Sequence, residues 1–373
     1  MRSMLVALML IVAASVRSLA ADTPPTDPVL ATASDLAGAV MFIDSGAPGM
    51  VLVIVRGDRQ VVIGYGETEK GNKHTPDGKS LLRLNSITKV FATEVLVSLA
   101  AEGKLRITDP LQRYAGDVKV PTFGSRPITL IDLATHSAGL PREMEGAPEG
   151  VNPRAWPTHA DRWKWLPDYK LPWAPGTVAS YSNVGFDLLA DAIETAGGQS
   201  YPELLHARVT APLGMVDTGF APTQEQCGRF MVGTGLGGAA TCVDTHATDG
   251  SGGLYSTGDD MARWLRHNIQ DPGGILMLSH AIYRPRQSLP AAIGFDEAGP
   301  MAGLGLGWVT IASDGIRPLL VAKSGGGAGF MSYIAFAPGR DVGLFVAVSR
   351  VDFTMFFGMT GAANALIANL VTR

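Results

Sequence analysis

Three short segments of this chain carry side chains that together suit acyl transfer. Residues 86–89 read Ser-Ile-Thr-Lys, residues 181–183 read Tyr-Ser-Asn, and residues 323–325 read Lys-Ser-Gly. They offer a hydroxyl nucleophile, two groups that can move protons near it, and a cation that can hold an anionic substrate. The chemistry predicted by this set is attack of a serine on a carbonyl carbon, with formation of an acyl-enzyme.

Ser86 is the candidate nucleophile and Lys89 the candidate base. A serine hydroxyl is a weak nucleophile at its own pKa, and a residue three positions further along a helix lies on the same face. Lys89 must be neutral to accept a proton, and burial beside a second cation such as Lys323 would lower its pKa. We therefore expect Lys89 to be buried and to reach Ser86.

An apolar pattern places Ser86 at the start of a helix. Four apolar residues between positions 91 and 99 recur at a spacing of three or four, and Gly103 follows as a stop signal. This predicts a helix over residues 86–102. Because backbone N–H groups are free at a helix N-terminus, an oxyanion that forms beside Ser86 would find donors there.

The other two segments supply proton transfer and anchoring. The Tyr181 phenol could carry a proton between Ser86 and a leaving group, and the Asn183 amide could orient Lys89 or bind a substrate carbonyl; spacing alone decides neither role. An apolar run over residues 319–322 ends at Lys323 and precedes a glycine-rich segment. This pattern predicts an edge strand on which a peptide-like substrate could dock.

Each motif alone is common by chance, but the three in this order resemble the penicillin-recognising serine hydrolases. The resemblance is to the branch that contains the class C β-lactamases, where Tyr-x-Asn replaces Ser-Asp-Asn. Further segments shared with this family lie at residues 135–143, 212–215, 251–257 and 304–308. Residues 85–86, 181–191 and the segment from Gln226 to Cys242 are similar to the D-alanyl-D-alanine carboxypeptidase/endopeptidases within it.

The resemblance implies catalytic roles for four residues. It implies an acyl-enzyme on Ser86, with Lys89 and Tyr181 as general base and acid. The oxyanion hole is expected from the backbone N–H groups of Ser86 and Gly326. No cofactor is expected.

The resemblance also implies a substrate-binding set. Asn183 and Gly325 are expected to line the site, and Lys323 and Ser324 are expected to hold the terminal carboxylate of the substrate. Ser324 departs from many relatives, which have threonine there; both side chains offer a hydroxyl, so only substrate preference is affected. The expected partners are peptidoglycan peptides and β-lactams.

The implied fold is α/β of the α+β type, with an antiparallel sheet flanked by helices and the active site between it and a mainly helical part. Strand patterns at residues 50–55 and 60–65 predict a hairpin, and further strands are expected near 308–311, 319–323, 331–336 and 342–348. Helices are expected at 186–196 and 201–209. We expect one catalytic domain over residues 21–373, with a sheet part at about 27–85 and 250–373 and a helical part at about 86–249.

Residues 1–20 have the pattern of a signal peptide, with Arg2, an apolar run from 4 to 16, and Ser-Leu-Ala at 18–20. A retained anchor is the alternative, but the apolar run is shorter than the roughly 20 residues that span a bilayer. We expect cleavage and a periplasmic protein. Cleavage would move the formal net charge from −4 to −6, and nothing in this charge suggests a nucleic-acid partner.

The cysteines and histidines predict structural roles. Cys227 and Cys242 are expected to form a disulfide, because an exported protein favours one over two free thiols. The seven histidines form no metal-binding motif, so no metal is assigned. His136 is interpreted as a packed residue rather than a catalytic base.

Two apolar features leave alternatives open. Residues 355–372 are apolar enough for membrane contact, although packing of a helix on the sheet explains them more simply and is preferred. We expect no membrane span after cleavage and leave peripheral contact open. Four tryptophans could line a groove or simply pack a long loop region; they are Trp156, Trp163, Trp165 and Trp173.

The function that the resemblance implies is that of a penicillin-binding serine DD-peptidase. Three alternatives use the same scaffold: a class C-like β-lactamase, an esterase, and a catalytically silent penicillin-binding regulator. The complete set of Ser86, Lys89, Tyr181 and Lys323 argues against the last of these. A nucleophile elbow of the form Gly-x-Ser-x-Gly is absent from the sequence, which argues against an α/β-hydrolase.

Overall fold

The computed structural model describes residues 27–151, 155–235, 239–295 and 298–372. The expected signal segment, residues 1–20, lies outside these residues. The described chain contains a large antiparallel sheet with helices on both faces.

Eight strands form the central sheet. In chain order they are β1 Gly49–Arg56, β2 Arg59–Gly66, β3 Arg284–Pro285, β4 Met301–Leu304, β5 Val309–Ile311, β6 Leu320–Gly327, β7 Phe330–Ala337 and β8 Val342–Val348. Across the sheet the order is β2-β1-β8-β7-β6-β5-β4-β3. The chain therefore leaves the sheet at one edge after β2 and returns at the other edge with β3. The long segment between them has to span the sheet, and it supplies Ser86, Lys89, Tyr181 and Asn183.

Helices cover both faces of this sheet. The described α-helices are α1 Pro28–Ser45, α2 Thr88–Ala101, α3 Leu130–Ala134, α4 His159–Trp165, α5 Asn183–Gly197, α6 Tyr201–Leu205, α7 Gln224–Gly228, α8 Gly258–Gln270, α9 Met277–His280 and α10 Phe353–Val371. Short 3₁₀ turns lie at Asn85–Ile87, Leu111–Tyr114, Leu166–Asp168, His246–Thr248 and Arg286–Ser288, and a π-helical turn at His206–Thr210.

Four two-stranded pairs lie outside the central sheet. Leu81–Arg83 pairs with Tyr255–Thr257, Thr122–Phe123 with Arg126–Pro127, Ala179–Ser180 with Ala292–Ile293, and Thr234–Gly235 with Arg350–Val351. The first of these pairs holds the segment that leads directly into Ser86.

Strand β1 shows how one apolar run serves two cores. Successive side chains of a strand point to opposite faces. Val51, Val53 and Val55 belong to the core shared with the helices of the central segment. The alternate residues Met50, Leu52 and Ile54 belong to a second core with α1 and α10. Burial on both faces explains why this strand is apolar throughout.

The hairpin and the later strands confirm the sequence prediction. β1 and β2 pair from Gly49 with Gly66 to Arg56 with Arg59. Gly57 has a φ of 59°, a left-handed conformation that favours glycine in a tight hairpin turn. The predicted strands at the other four places match β5 to β8 within a few residues.

The prediction that residues 319–323 form an edge strand is wrong. β6 lies inside the sheet, between β5 and β7. Its pairing with β5 covers residues 320–322 only, whereas its pairing with β7 extends from Val321 to Gly327. The glycine-rich half of β6 therefore extends beyond the end of β5.

Helix α10 packs on the sheet, as the sequence analysis preferred. Phe356, Leu366 and Ile367 are buried in the core with β7 and β8. Phe357, expected in the same core, is instead 59% exposed. Among the described residues, α10 is also the helix that is long and apolar enough to cross a membrane by length and composition, and half of its apolar window is buried within the protein.

One partly buried histidine makes the stability of this fold depend on pH. The His280 ring contacts Trp308 and Phe336 edge-on, and its Nε2 is 3.1 Å from Asn268 Oδ1. Burial lowers the pKa of His280 to about 4 from its usual value of 6.5. Because the unfolded chain takes up this proton first as the pH falls, stability is lost between about pH 6.5 and pH 4.

We expect this histidine to contribute up to about 3 kcal/mol to the loss of stability at low pH. His280→Gln should therefore show a smaller fall in melting temperature between pH 7 and pH 4.5 than the unmodified protein. The exposed His74 provides the control, because His74→Gln should leave the fall unchanged. An equal fall in melting temperature in the His280→Gln variant and in the unmodified protein would contradict the prediction.

Candidate active site

Lys89 lies at the centre of the site and is fully buried. Its Nζ is 3.3 Å from Ser86 Oγ and donates to Asn183 Oδ1 and to the Ser251 carbonyl oxygen, each at 2.6 Å. Burial, and then the charge of Lys323, hold the pKa of Lys89 well below its usual value. A neutral amine with two protons engaged by these acceptors can direct its lone pair at the Ser86 hydroxyl. The geometry therefore fits proton abstraction.

Ser86 lies in the 3₁₀ turn that precedes α2, at the helix start predicted from the sequence. The residue before it, Asn85, has a φ of 50°, a left-handed conformation that asparagine tolerates better than most residues. The Asn85 amide donates to the carbonyl oxygens of Gly327 and Phe330, at 2.9 and 3.2 Å. These bonds join the nucleophile turn to the ends of β6 and β7.

Gly325 allows β6 to approach the nucleophile backbone. A Cβ at this position would collide with the Leu84 carbonyl oxygen and would lie 2.5 Å from Ser332 Oγ and 3.2 Å from Ser86 N. Such distances leave no room for a side chain. Gly326, the expected oxyanion donor, follows on the same strand and pairs with Met331.

Tyr181 lies among cationic groups. Lys323 Nζ donates to Tyr181 Oη at 3.4 Å and to the Ser324 carbonyl oxygen at 2.7 Å. Lys89 Nζ is 4.9 Å from the centre of the Tyr181 ring, and the Arg142 guanidinium carbon is 4.8 Å from it. The positive charges of Lys323 and Arg142 stabilise negative charge that develops on the phenol oxygen during proton transfer.

His136 packs beneath Tyr181 instead of facing the nucleophile. The two rings are stacked with centroids 4.2 Å apart, and His136 Nδ1 accepts from the Ser182 N–H at 3.0 Å. Burial and the charges of Lys89 and Lys323 hold its pKa well below the usual value. A neutral, stacked ring fits the packing role predicted from the sequence.

The structure adds three groups that sequence reasoning did not assign to the site. The Ser251 carbonyl binds Lys89, Glu143 Oε1 accepts from the Asn183 amide, and the Arg142 guanidinium lies over Tyr181. Each lies in a segment whose sequence resembles the family, residues 135–143 or 251–257. That resemblance pointed to these segments, but it assigned no role to an individual residue in them.

Other predicted features make contacts of their own. Cys227 and Cys242 are joined by a disulfide. Trp163 is buried and donates to Asp191, and Trp165 contacts the Tyr169 ring; these contacts fit packing of the loop region. Among the described residues, no group of three or more His, Cys, Asp or Glu side chains is arranged to hold a metal ion.

Comparison with known proteins places this arrangement in a family. The family model described as Beta-lactamase matches residues 24–369. The chain belongs to this family. It is 41% identical over 367 residues to the D-alanyl-D-alanine-carboxypeptidase/endopeptidase AmpH of Escherichia coli K12, covering 96% of this chain and 94% of that protein. It is 24% identical over 331 residues to a β-lactamase of the same organism, covering 81% and 84% of the two chains.

A solved structure agrees with these relatives. The crystal structure of a β-lactamase/D-alanine carboxypeptidase from Yersinia pestis, complexed with citrate, superposes with a TM-score of 0.87 at 40% identity and covers 92% of this chain and 99% of that one. The resemblance drawn from the three motifs and the predicted fold class are both confirmed.

The contact at Gly325 predicts a sharp loss of reactivity on substitution. Gly325→Ala should push β6 away from Ser86 and lower the rate of Ser86 acylation by a fluorescent penicillin by about 100-fold, because small displacements in an active site have effects of this size. Gly358→Ala is the control, since a Cβ there meets nothing within 4 Å. An acylation rate within a few-fold of the unmodified protein, in a folded Gly325→Ala variant, would refute the prediction.

Proposed function

We propose that this protein is a penicillin-binding serine DD-peptidase, a D-alanyl-D-alanine carboxypeptidase/endopeptidase that acts on peptidoglycan stem peptides. The observation that carries the proposal is the buried Lys89 amine, 3.3 Å from Ser86 Oγ. The 41% identity to AmpH over nearly the whole chain supports the same reaction. No cofactor takes part in the proposed chemistry.

Acylation follows from the roles of three side chains. Lys89 takes the proton of Ser86 as Oγ attacks the carbonyl carbon of the penultimate D-alanine. The Ser86 and Gly326 N–H groups stabilise the oxyanion of the tetrahedral intermediate. The C–N bond then breaks, Tyr181 protonates the departing amine, and Lys89 returns its proton to Tyr181. Water cleaves the acyl-enzyme by the reverse sequence of proton transfers, releasing the shortened peptide and restoring Ser86.

Substrate binding is proposed to use the glycine-rich half of β6. Lys323 and Ser324 hold the terminal carboxylate, and Asn183 binds a substrate carbonyl beside Gly325. The glycine-rich half of β6 extends beyond the end of β5, which supports pairing of this segment with an extended peptide. An amide-linked crosslink whose leaving group also carries a carboxylate would bind in the same way, and this would account for endopeptidase activity.

A β-lactamase is the second candidate function. The family model, the Escherichia coli relative at 24% identity and the name of the Yersinia structure all favour it. The two activities share acylation and differ in how quickly water removes the acyl group from Ser86. An esterase or a catalytically silent penicillin-binding regulator would use the same scaffold. The contacts of Lys89 with Ser86 and Asn183 argue against a catalytically silent protein.

We also propose export to the periplasm, with cleavage of residues 1–20 and one catalytic domain over residues 21–373. The composition of the first twenty residues supports export. The Cys227–Cys242 disulfide agrees with an oxidising compartment. The peptidoglycan substrate lies in the same compartment. Exposed apolar residues on α1, such as Leu36 and Ile43, leave peripheral membrane contact open.

The central experiment is mass spectrometry of the mature protein and of Ser86→Ala. Each is incubated with labelled penicillin and, separately, with a muropeptide that ends in D-Ala-D-Ala. We expect a covalent adduct on Ser86 and release of D-alanine, both absent from the variant. Fast penicillin hydrolysis with an intact muropeptide would change the assignment to β-lactamase, and absence of both reactions would refute an acyl-transfer enzyme.

Ser324 allows carboxylate recognition to be tested separately from the chemistry. Ser324→Ala should lower kcat/KM for a peptide ending in free D-alanine by about 10-fold or more, because a hydrogen bond to a charged group contributes roughly 1.5–3 kcal/mol. For the same peptide with a C-terminal amide, kcat/KM should fall much less. Ser324→Thr keeps the hydroxyl and is the matched control. An equal fall in kcat/KM for the acid and the amide peptide would show that Ser324 does not bind the carboxylate.

A further inference from the structure

The Asn183 amide is held between the Lys89 amine and a carboxylate. Its Oδ1 accepts from Lys89 Nζ at 2.6 Å. Its Nδ2 donates to Oε1 of Glu143, which precedes it by 40 residues in the chain. Lys89 is fully buried, whereas Glu143 is exposed. The amide therefore connects the buried base to an exposed carboxylate.

Main-chain contacts hold the Glu143 segment against the start of α5. Ser182 Oγ donates to the Pro141 carbonyl oxygen at 2.6 Å. The Asn183 N–H donates to the Arg142 carbonyl oxygen at 2.8 Å. Asn183 is the first residue of α5, and Ser182 is its N-cap. The contact between Glu143 and Asn183 therefore joins two segments that are already fixed to each other.

Two orientations of the Asn183 amide have nearly the same shape, because a half-turn about χ2 exchanges its oxygen and its NH2 group. In the observed orientation, Asn183 Oδ1 and the Ser251 carbonyl accept both N–H groups of a neutral Lys89 amine. The Lys89 lone pair is then left for the Ser86 hydroxyl. In the reversed orientation, Nδ2 would donate to this lone pair, and Lys89 could no longer accept the Ser86 proton. Only the observed orientation leaves a usable base.

The carboxylate selects this orientation, whereas the amine does not. A neutral amine can donate to a carbonyl oxygen and can equally accept from an amide N–H. A carboxylate accepts hydrogen bonds and donates none. Asn183 Nδ2 must therefore face Glu143, and Oδ1 must face Lys89. The reversed amide would place its oxygen against the carboxylate and lose a charge-assisted hydrogen bond.

We propose that Glu143 is a positioning residue for acyl transfer: it fixes the Asn183 amide with its oxygen toward Lys89, so that the Lys89 lone pair stays directed at Ser86. This inference rests on the proposed function, in which neutral Lys89 activates Ser86. Glu143 occupies one of the two Nδ2 hydrogens, and the second is left for a substrate carbonyl. Asn183 can then fill both of the roles that its spacing left open.

The test is the rate constant for Ser86 acylation at saturating fluorescent penicillin, since saturation separates the chemical step from binding. Glu143→Gln keeps the size of the side chain and removes its charge. A glutamine donates as well as accepts, so it satisfies either orientation of the amide. We expect the rate constant to fall by about 10-fold at pH 7, because the selecting hydrogen bond is one to a charged group.

A matched charge control lies in the same segment. Glu145 is also exposed and is two residues further along the chain. Glu145→Gln removes the same charge without touching Asn183, so it should leave the rate constant unchanged. The melting temperatures of both variants show whether each is folded.

A second background removes the choice of orientation altogether. Asn183→Asp replaces the amide with a carboxylate, whose two oxygens are equivalent. In this background, with slow acylation followed over hours, adding Glu143→Gln should not lower the rate constant further. The effect of Glu143→Gln should thus depend on the amide at position 183.

The outcomes separate the inference from the proposed function. Burial lowers the pKa of Lys89 most, and the charge of Glu143 acts in the opposite direction. If Glu143 acted by its charge alone, Glu143→Gln would therefore increase the neutral fraction of Lys89 and speed acylation. Faster or unchanged acylation in folded Glu143→Gln overturns the role of Glu143 and leaves the DD-peptidase proposal intact.

Two other results also overturn the inference alone: an equal fall in the rate constant in Glu145→Gln, and a further fall when Glu143→Gln is added to Asn183→Asp. In either case the orientation of the amide could not be the cause. If neither penicillin nor a fluorophosphonate probe labels Ser86 in the unmodified protein, both the inference and the proposed function are wrong.

Discussion

The removal of one lysine amine from water is the constraint on which the site depends. Lys89 has no exposed surface, and a buried ammonium is stable only where other groups replace the lost water. Here an amide from α5 and a main-chain carbonyl take its hydrogen bonds, while Lys323 on β6 opposes its positive charge. Three distant parts of the chain must therefore meet around α2 before Ser86 has a usable base.

The sheet topology holds these parts of the chain together around α2. The chain leaves at the β2 edge and returns at the β3 edge, so the intervening helices are held at both ends by the same sheet. The nucleophile turn is fixed to β6 and β7 by the Asn85 amide and by the absence of a side chain at Gly325. At Gly325, strand β6 and the turn that carries Ser86 approach each other more closely than a side chain would allow.

Local patterns predicted much of this arrangement, and long-range pairing accounts for what they missed. The β1–β2 hairpin follows from alternation and turn residues, and the burial of Lys89 follows from the chemistry of a lysine base. The interior position of β6 depends on its pairing with β5, and no local pattern reveals which strands pair. The contact of Ser251 with Lys89 uses a backbone carbonyl, which every residue type has. Phe357 has the same apolar character as Phe356, yet one side chain is exposed and the other buried.

Both ends of the described chain lie on one side of the sheet. Helices α1 and α10 pack against each other and share the core on the face opposite to the one that carries α2 and Ser86. An attachment at either end, whether a linker, an affinity tag or a surface tether, would leave from the rear of the molecule. Immobilised through its ends, the protein would present the face that carries α2 and Ser86 outward.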